Sequence, residues 1–124
     1  VKGQTKKAVN HIAKSIDLTS TKSLIDQLGL CANDAIKAIN EGSLLALGSL
    51  LTLAHQTLDA LSVSHPLLNQ MVEDSLSKGA IGAKMTGGGL GGCAIALCQN
   101  EAIAKHVQAS WAMLSGQIAF ILPI

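Results

Sequence analysis

The stretch Lys84-Met85-Thr86-Gly87-Gly88-Gly89-Leu90-Gly91-Gly92-Cys93 puts five glycines into the six positions 87–92 of a chain otherwise rich in Leu and Ala. On either side stand short apolar runs, 80–86 and 93–98, each of strand length and too short for a typical helix. The reading is a hairpin with far more bare backbone than a tight turn uses. A two-residue turn needs one or two glycines, and each further one costs about 0.5–1 kcal/mol of chain entropy relative to Ala. Such a loop is expected to let a polar or anionic ligand, or another loop, come close to its N–H groups.

Two nucleotide-binding patterns are set aside on spacing. Gly87, Gly89 and Gly92 satisfy G-x-G-x-x-G, but that fingerprint runs from a strand into a helix, and here the strand-like Cys93-Ala94-Ile95-Ala96-Leu97-Cys98 follows. The next acidic residue, Glu101, also comes too early for the roughly 20-residue spacing of a ribose ligand. A phosphate-binding loop of the Walker type needs Lys and then Ser or Thr after its last Gly, and Gly92 is followed by Cys93-Ala94.

Outward from the glycines the periodicity is helical. Val9, Ile12, Ala13 and Ile16 predict an opening helix over 5–17. Leu24, Leu28, Cys31, Ala35 and Ile39 continue a second stripe to about Asn40, closed by Gly42 and restarted by Ser43. Leu47, Leu51, Ala54, Leu58 and Leu61 form the seam of a third helix, read as largely buried because Leu44, Leu50 and Leu53 widen its apolar face. Ser64-His65-Pro66 opens a fourth, with Leu68, Met71, Val72 and Leu76 inward and Lys78-Gly79 as its stop. Asn100 is the expected cap of a last helix striped by Ile103, Val107, Trp111 and Leu114, and 117–124 reads as a final buried strand. The order predicts an α+β domain, helices packed on a small sheet.

Composition narrows the function classes. The 124 residues are 48% hydrophobic and 14% charged, so some apolar surface is expected to face a partner or another domain. A net charge of +1 without a basic run, and the absence of Tyr, leave no footprint for nucleic acid. The longest nearly apolar run, 44–54, is broken by Gly48, Ser49 and Thr52 and is too short for a membrane span, so a soluble protein is expected. Three cysteines, Cys31, Cys93 and Cys98, are too few for a disulfide framework and read as core packing in a reducing, cytoplasmic setting. His11, His55, His65 and His106 lack metal-ligand spacing, and a solvated or capping role suffices for each, so no metal site is expected. The chain opens on Val1 without a signal segment and reads as the downstream part of something longer.

The stretch from Gly79 to Leu97, GAIGAKMTGGGLGGCAIAL, resembles the third motif of the GHMP kinases. Upstream, Leu58-Asp59-Ala60-Leu61-Ser62-Val63-Ser64-His65 is similar to that family's L-x-x-L-G-V-S segment, and Gly3-Gln4-Thr5-Lys6-Lys7-Ala8-Val9 to its G-x-T stretch. The likeness therefore covers most of the chain. The wording SKGAIGAKMTGGGLGGC resembles the bacterial, mevalonate-phosphorylating branch, with phosphomevalonate and homoserine kinases as sister readings. Three positions depart from the family pattern: Gly88 stands where many members have Ala, Leu90 where they have Gly, and Ser62 where they have Gly.

The resemblance implies a ferredoxin-like GHMP kinase C-terminal domain over 1–124, its sheet mainly antiparallel, with the ATP-binding N-terminal domain as its partner upstream of Val1. It implies a parent that uses ATP and Mg2+ to phosphorylate the hydroxyl of mevalonate in isoprenoid precursor synthesis, and it leaves a homodimer open. The family's catalytic Asp, its Lys and its Gly-Ser-Ser nucleotide loop have no match here, so the chain by itself is expected to hold no catalytic residue, no cofactor and no activity. What it implies for this chain is a substrate and phosphate-site loop, Thr86, Gly87, Gly88 and Gly89 lining it through N–H groups and one hydroxyl, with Gly91 and Gly92 permitting the turn. Lys84 shares the strand face of Thr86 by alternation, and Thr5 falls in the G-x-T stretch; a solvated lysine and a helix-capping threonine are the plainer readings. The competing reading, from another class, is a stand-alone module whose glycine loop binds a small anion and reports to a partner.

Overall fold

The computed structural model describes residues 19–86 and 93–123. The expected helix over 5–17, with Thr5, and the glycines of 87–92 lie outside that range. Six elements follow in order: α1 (Thr19–Glu41), α2 (Leu44–Ala60), α3 (Pro66–Ser77), β1 (Gly82–Thr86), β2 (Cys93–Leu97) and α4 (Glu101–Ser115).

The helix boundaries sit where the local chemistry puts them. Gly42, at φ +70°, ends α1, and the Ser43 hydroxyl accepts the Ala46 N–H at 3.3 Å to start α2. His65 caps α3 through Nδ1, which accepts from the Leu67 N–H at 3.1 Å, and Pro66 takes the first turn, where an N–H would have no partner. Asn100 Oδ1 accepts the Ile103 N–H at 2.9 Å to start α4, and left-handed Gly116 closes it.

β1 and β2 form an antiparallel hairpin in which Lys84 lies opposite Ile95 and Thr86 opposite Cys93. Alternation then gives the hairpin two faces. Met85 points into the main core with Leu68 and Met71 of α3 and Val107 and Trp111 of α4, and Ala83, on the same face, is fully buried. The indole N–H of Trp111 donates to the Met71 carbonyl at 2.7 Å, which satisfies the one polar atom of that side chain. A second cluster, Leu61 and Val63 against Leu24, Ile25 and Leu28, ties α1 to the end of α2.

The expected final strand is absent: residues 117–123 form no strand. Gly116 turns the chain back, and Gln108 Nε2 donates to the Ala119 carbonyl at 2.8 Å, so the segment is tethered to α4 rather than to the sheet. The free edge of β1 is already taken by α2. Ile118, Phe120 and Leu122 face outward, each 81% exposed.

The expected burial of α2 is also corrected. Leu44, Leu45 and Leu53 are exposed, and the buried positions of this helix are Gly48, Ala54, His55 and Thr57. Apolar count misled here because this helix covers a sheet edge, which needs small residues and hydrogen-bond acceptors rather than more Leu. On α1, Ala38 is buried and Ile39 exposed, a shift of one position in the stripe. Cys31 is buried as expected, whereas Cys93 is exposed on the open face of the hairpin. Leu30, Ile36, Ile39 and Ile95 add to the exposed apolar surface that the composition foretold.

Candidate functional site

Of the loop residues singled out in the sequence, Thr86 ends β1 and is half-buried, while Gly87, Gly88, Gly89, Gly91 and Gly92 lie outside the described residues. The described part of the site is its root: two strand ends, Thr86 and Cys93, facing each other across the hairpin. Lys84 stands two residues before Thr86 and on the same face, as alternation required.

Lys84 has no ion-pair partner among the described residues, whose salt bridges join Lys78 to Asp74 and Lys105 to Glu101. Burial pushes its ammonium below the ordinary lysine range. Among the described residues it is the one charged residue lining a cleft of about 400 Å³ between α1 and α2, whose walls include Leu28, Cys31, Ala35, Leu51 and Leu58. A half-desolvated cation and a hydroxyl on one strand face, next to a glycine loop, form a donor set suited to anionic oxygen. Among the described residues no group of His, Cys, Asp and Glu could hold a metal ion. Burial, together with the nearby Asp34 at Cys31, pushes the Cys31 and Cys98 thiols up, which suits packing rather than nucleophilic chemistry.

The strand that launches the loop is held from an unusual side. The N–H groups of Ala83 and Met85 point away from β2, and α2 supplies their acceptors: Thr52 Oγ1 at 3.3 Å and His55 Nδ1 at 3.0 Å. Because Nδ1 accepts, the ring proton of neutral His55 sits on Nε2, which donates to Asn69 Oδ1 at 2.8 Å. Ser64 Oγ donates to the same Asn69 oxygen at 2.7 Å, and Asn69 Nδ2 donates to Asp59 Oδ1 at 3.0 Å. His55 is therefore a buried, doubly bonded residue and not the solvated or capping one expected from sequence. His65 does cap.

The backbones of α2 and β1 also touch. A Cβ on Gly82 would overlap the Gly48 carbonyl oxygen, and one on Gly48 would lie 2.7 Å from the Ile81 carbonyl carbon. Sequence reasoning missed this pair and His55 alike. Their one common signal is small or polar residues, Gly48, Thr52 and His55, spaced four and three apart along a helix otherwise full of Leu.

With this geometry in hand, residues 35–113 match the family described as GHMP kinases C terminal. The chain belongs to the GHMP kinases, as a C-terminal domain. It is 30% identical over 110 residues to a mevalonate kinase of Aeropyrum pernix, covering 87% of this chain and 34% of that one. It is 40% identical over 79 residues to a galactokinase of Bos taurus, covering 60% of this chain and 20% of that one. The fold superposes on L. major mevalonate kinase in complex with R-mevalonate with a TM-score of 0.81 at 28% identity, over 90% of this chain and 34% of that one. This chain thus spans between a fifth and about a third of the length of these GHMP kinases. The helices-on-hairpin architecture is that of the GHMP kinase C-terminal fold, and among its described residues no helix is long and apolar enough to cross a membrane.

Proposed function

We propose that this chain is the acceptor-side part of a GHMP kinase that transfers the γ-phosphoryl group of ATP to the hydroxyl of mevalonate. The observation that carries the acceptor is the extent of the likeness: the mevalonate kinase relationships run over 87% and 90% of the chain, in sequence and in fold. An ammonium at Lys84 without an ion-pair partner among the described residues, beside the loop root, agrees with an acceptor that bears a carboxylate. A second reading is a galactokinase, favoured by the 40% identity to the Bos taurus enzyme over a shorter stretch.

In the parent, ATP and Mg2+ supply the phosphoryl group and neutralise its charge. The Lys84 ammonium is a donor only, which fits it to phosphoryl or carboxylate oxygens and not to a cation, and the Thr86 hydroxyl has a proton to donate to the same oxygens. Catalysis of this class is mostly positioning and electrostatics, so the part assigned to this chain is to hold acceptor and phosphate oxygens against backbone N–H groups. Thr86 offers the hydroxyl, Gly87, Gly88 and Gly89 offer bare N–H groups, and Gly91 and Gly92 let the backbone turn. An N-terminal domain is the proposed partner, and the exposed apolar residues of α1 and of the 117–123 segment agree with a larger parent.

The loop assignment is tested in the full-length kinase by Gly89→Val. Turnover should be abolished while circular dichroism and the unfolding midpoint stay those of the wild type. Wild-type turnover in the variant would remove the loop from the site.

A further inference from the structure

The His55 imidazole is a buried polar group bonded at both ring nitrogens, and one of those bonds goes to the loop's own strand. It accepts the N–H of Met85, the residue immediately before Thr86, and through Nε2 and Asn69 it reaches Ser64 and Asp59 at the α2–α3 connection. A sheet edge is ordinarily closed by another strand or by water. Here two side chains of α2 close it, Thr52 at Ala83 and His55 at Met85, and the ring, nearest the strand end, ties that end to two helices.

From this we infer that His55 is a positioning residue for the root of the glycine loop: its bond to Met85 sets where Thr86 stands relative to the transferred phosphoryl group. The inference rests on the proposed kinase activity, and it names a function for a residue more than thirty positions upstream of the loop. The geometry gives reasons beyond general packing. Thr52 holds Ala83 at 3.3 Å through a hydroxyl that also bonds the Gly48 carbonyl, a shared and longer contact. His55 holds Met85 at 3.0 Å with a nitrogen aligned by its own second bond. With Met85 itself nearly fully buried, its N–H has the His55 ring as its acceptor among the described residues, and removing it leaves a buried N–H without that partner. The cheapest relief is movement of the strand end, which is the loop root.

The test uses two substitutions in the full-length kinase. His55→Asn sets an amide oxygen close to the place of Nδ1 and keeps an acceptor for Met85 while losing the reach to Asn69; His55→Phe fills the space with no acceptor. At a temperature where both are fully folded by circular dichroism, His55→Phe should lose roughly 10- to 100-fold in kcat, the scale of an ångström-sized misplacement, and His55→Asn should recover most of it. Amide hydrogen exchange at Met85, read in the full-length kinase, should be slow in the wild type and in His55→Asn and fast in His55→Phe. A folded His55→Phe enzyme with wild-type kcat, or equal losses in the two variants, would overturn the inference. If the wild type turned over no acceptor, the kinase reading would fail on its own, and the Met85 exchange pattern would decide the His55 bond separately: identical exchange in all three proteins would overturn it.

Discussion

Gly48 of α2 and Gly82 of β1 meet backbone to backbone, with no room for a Cβ on either. This contact brings α2 close enough for Thr52 and His55 to reach the N–H groups of Ala83 and Met85. A helix thus takes the place of a neighbouring strand at the edge of the hairpin that carries the glycine loop.

Gly82→Ala should be among the most damaging single-methyl changes in the domain. The atoms in the way are backbone, which cannot swing aside, so overpacking should cost about 1–3 kcal/mol or more. The expected readout is a drop of several degrees in the thermal midpoint, and Gly29→Ala, a site with open space around its Cβ position, is the control that should not fall. Equal midpoints for Gly82→Ala and the wild type would contradict the close approach.

Ser62 occupies the left-handed region at φ +62°, where the family pattern has Gly. A side chain there costs about 1–2 kcal/mol, partly offset because Gly adds unfolded-state entropy of about 0.5–1 kcal/mol. Ser62→Gly should therefore stabilise the chain by several tenths to about 1 kcal/mol in urea unfolding. A destabilised variant would mean that the serine hydroxyl contributes more than the backbone strain costs.

Lys84 carries a pH signature with a definite sign. Its folded-state pKa is lowered by burial, so at alkaline pH the unfolded chain binds more protons than the folded one. Stability should rise as pH climbs through the window between the lowered value and the ordinary ~10.4 of an exposed lysine. Lys84→Met should remove that rise, raise the midpoint at neutral pH, and lower turnover of an acidic acceptor in the parent. An unchanged alkaline limb in Lys84→Met would place the titration elsewhere.

Asn100→Ala removes the side-chain acceptor of the Ile103 N–H at the start of α4 and should cost about 1 kcal/mol. Asn100→Asp should retain most of the stability, which urea titration of the two variants would show.

Much of this was legible because it is written locally. Gly42-Ser43, His65-Pro66 and Asn100 mark helix ends through hydrogen bonds to their immediate neighbours, and the structure places the boundaries there. Alternation in Lys84-Met85-Thr86 was enough to put Lys84 and Thr86 on one face. The failures are all non-local. Whether 117–123 pairs as a strand depends on contacts far along the chain: α2 fills the edge of β1 with side chains, and Gln108 of α4 takes the Ala119 carbonyl. His55 looks like any helix histidine until β1, thirty residues on, supplies the N–H that it accepts. Leu44 and Leu53 were assigned to the core by hydrophobicity, yet the helix turns its small and polar side to the sheet edge.

The most direct test of the central claim is ADP release by the full-length kinase with ATP and Mg2+, given mevalonate or galactose in parallel, with phosphomevalonate and homoserine as further acceptors. Turnover is expected with mevalonate and none with galactose. Turnover confined to galactose, or to another of these acceptors, would keep the family and contradict the proposed substrate.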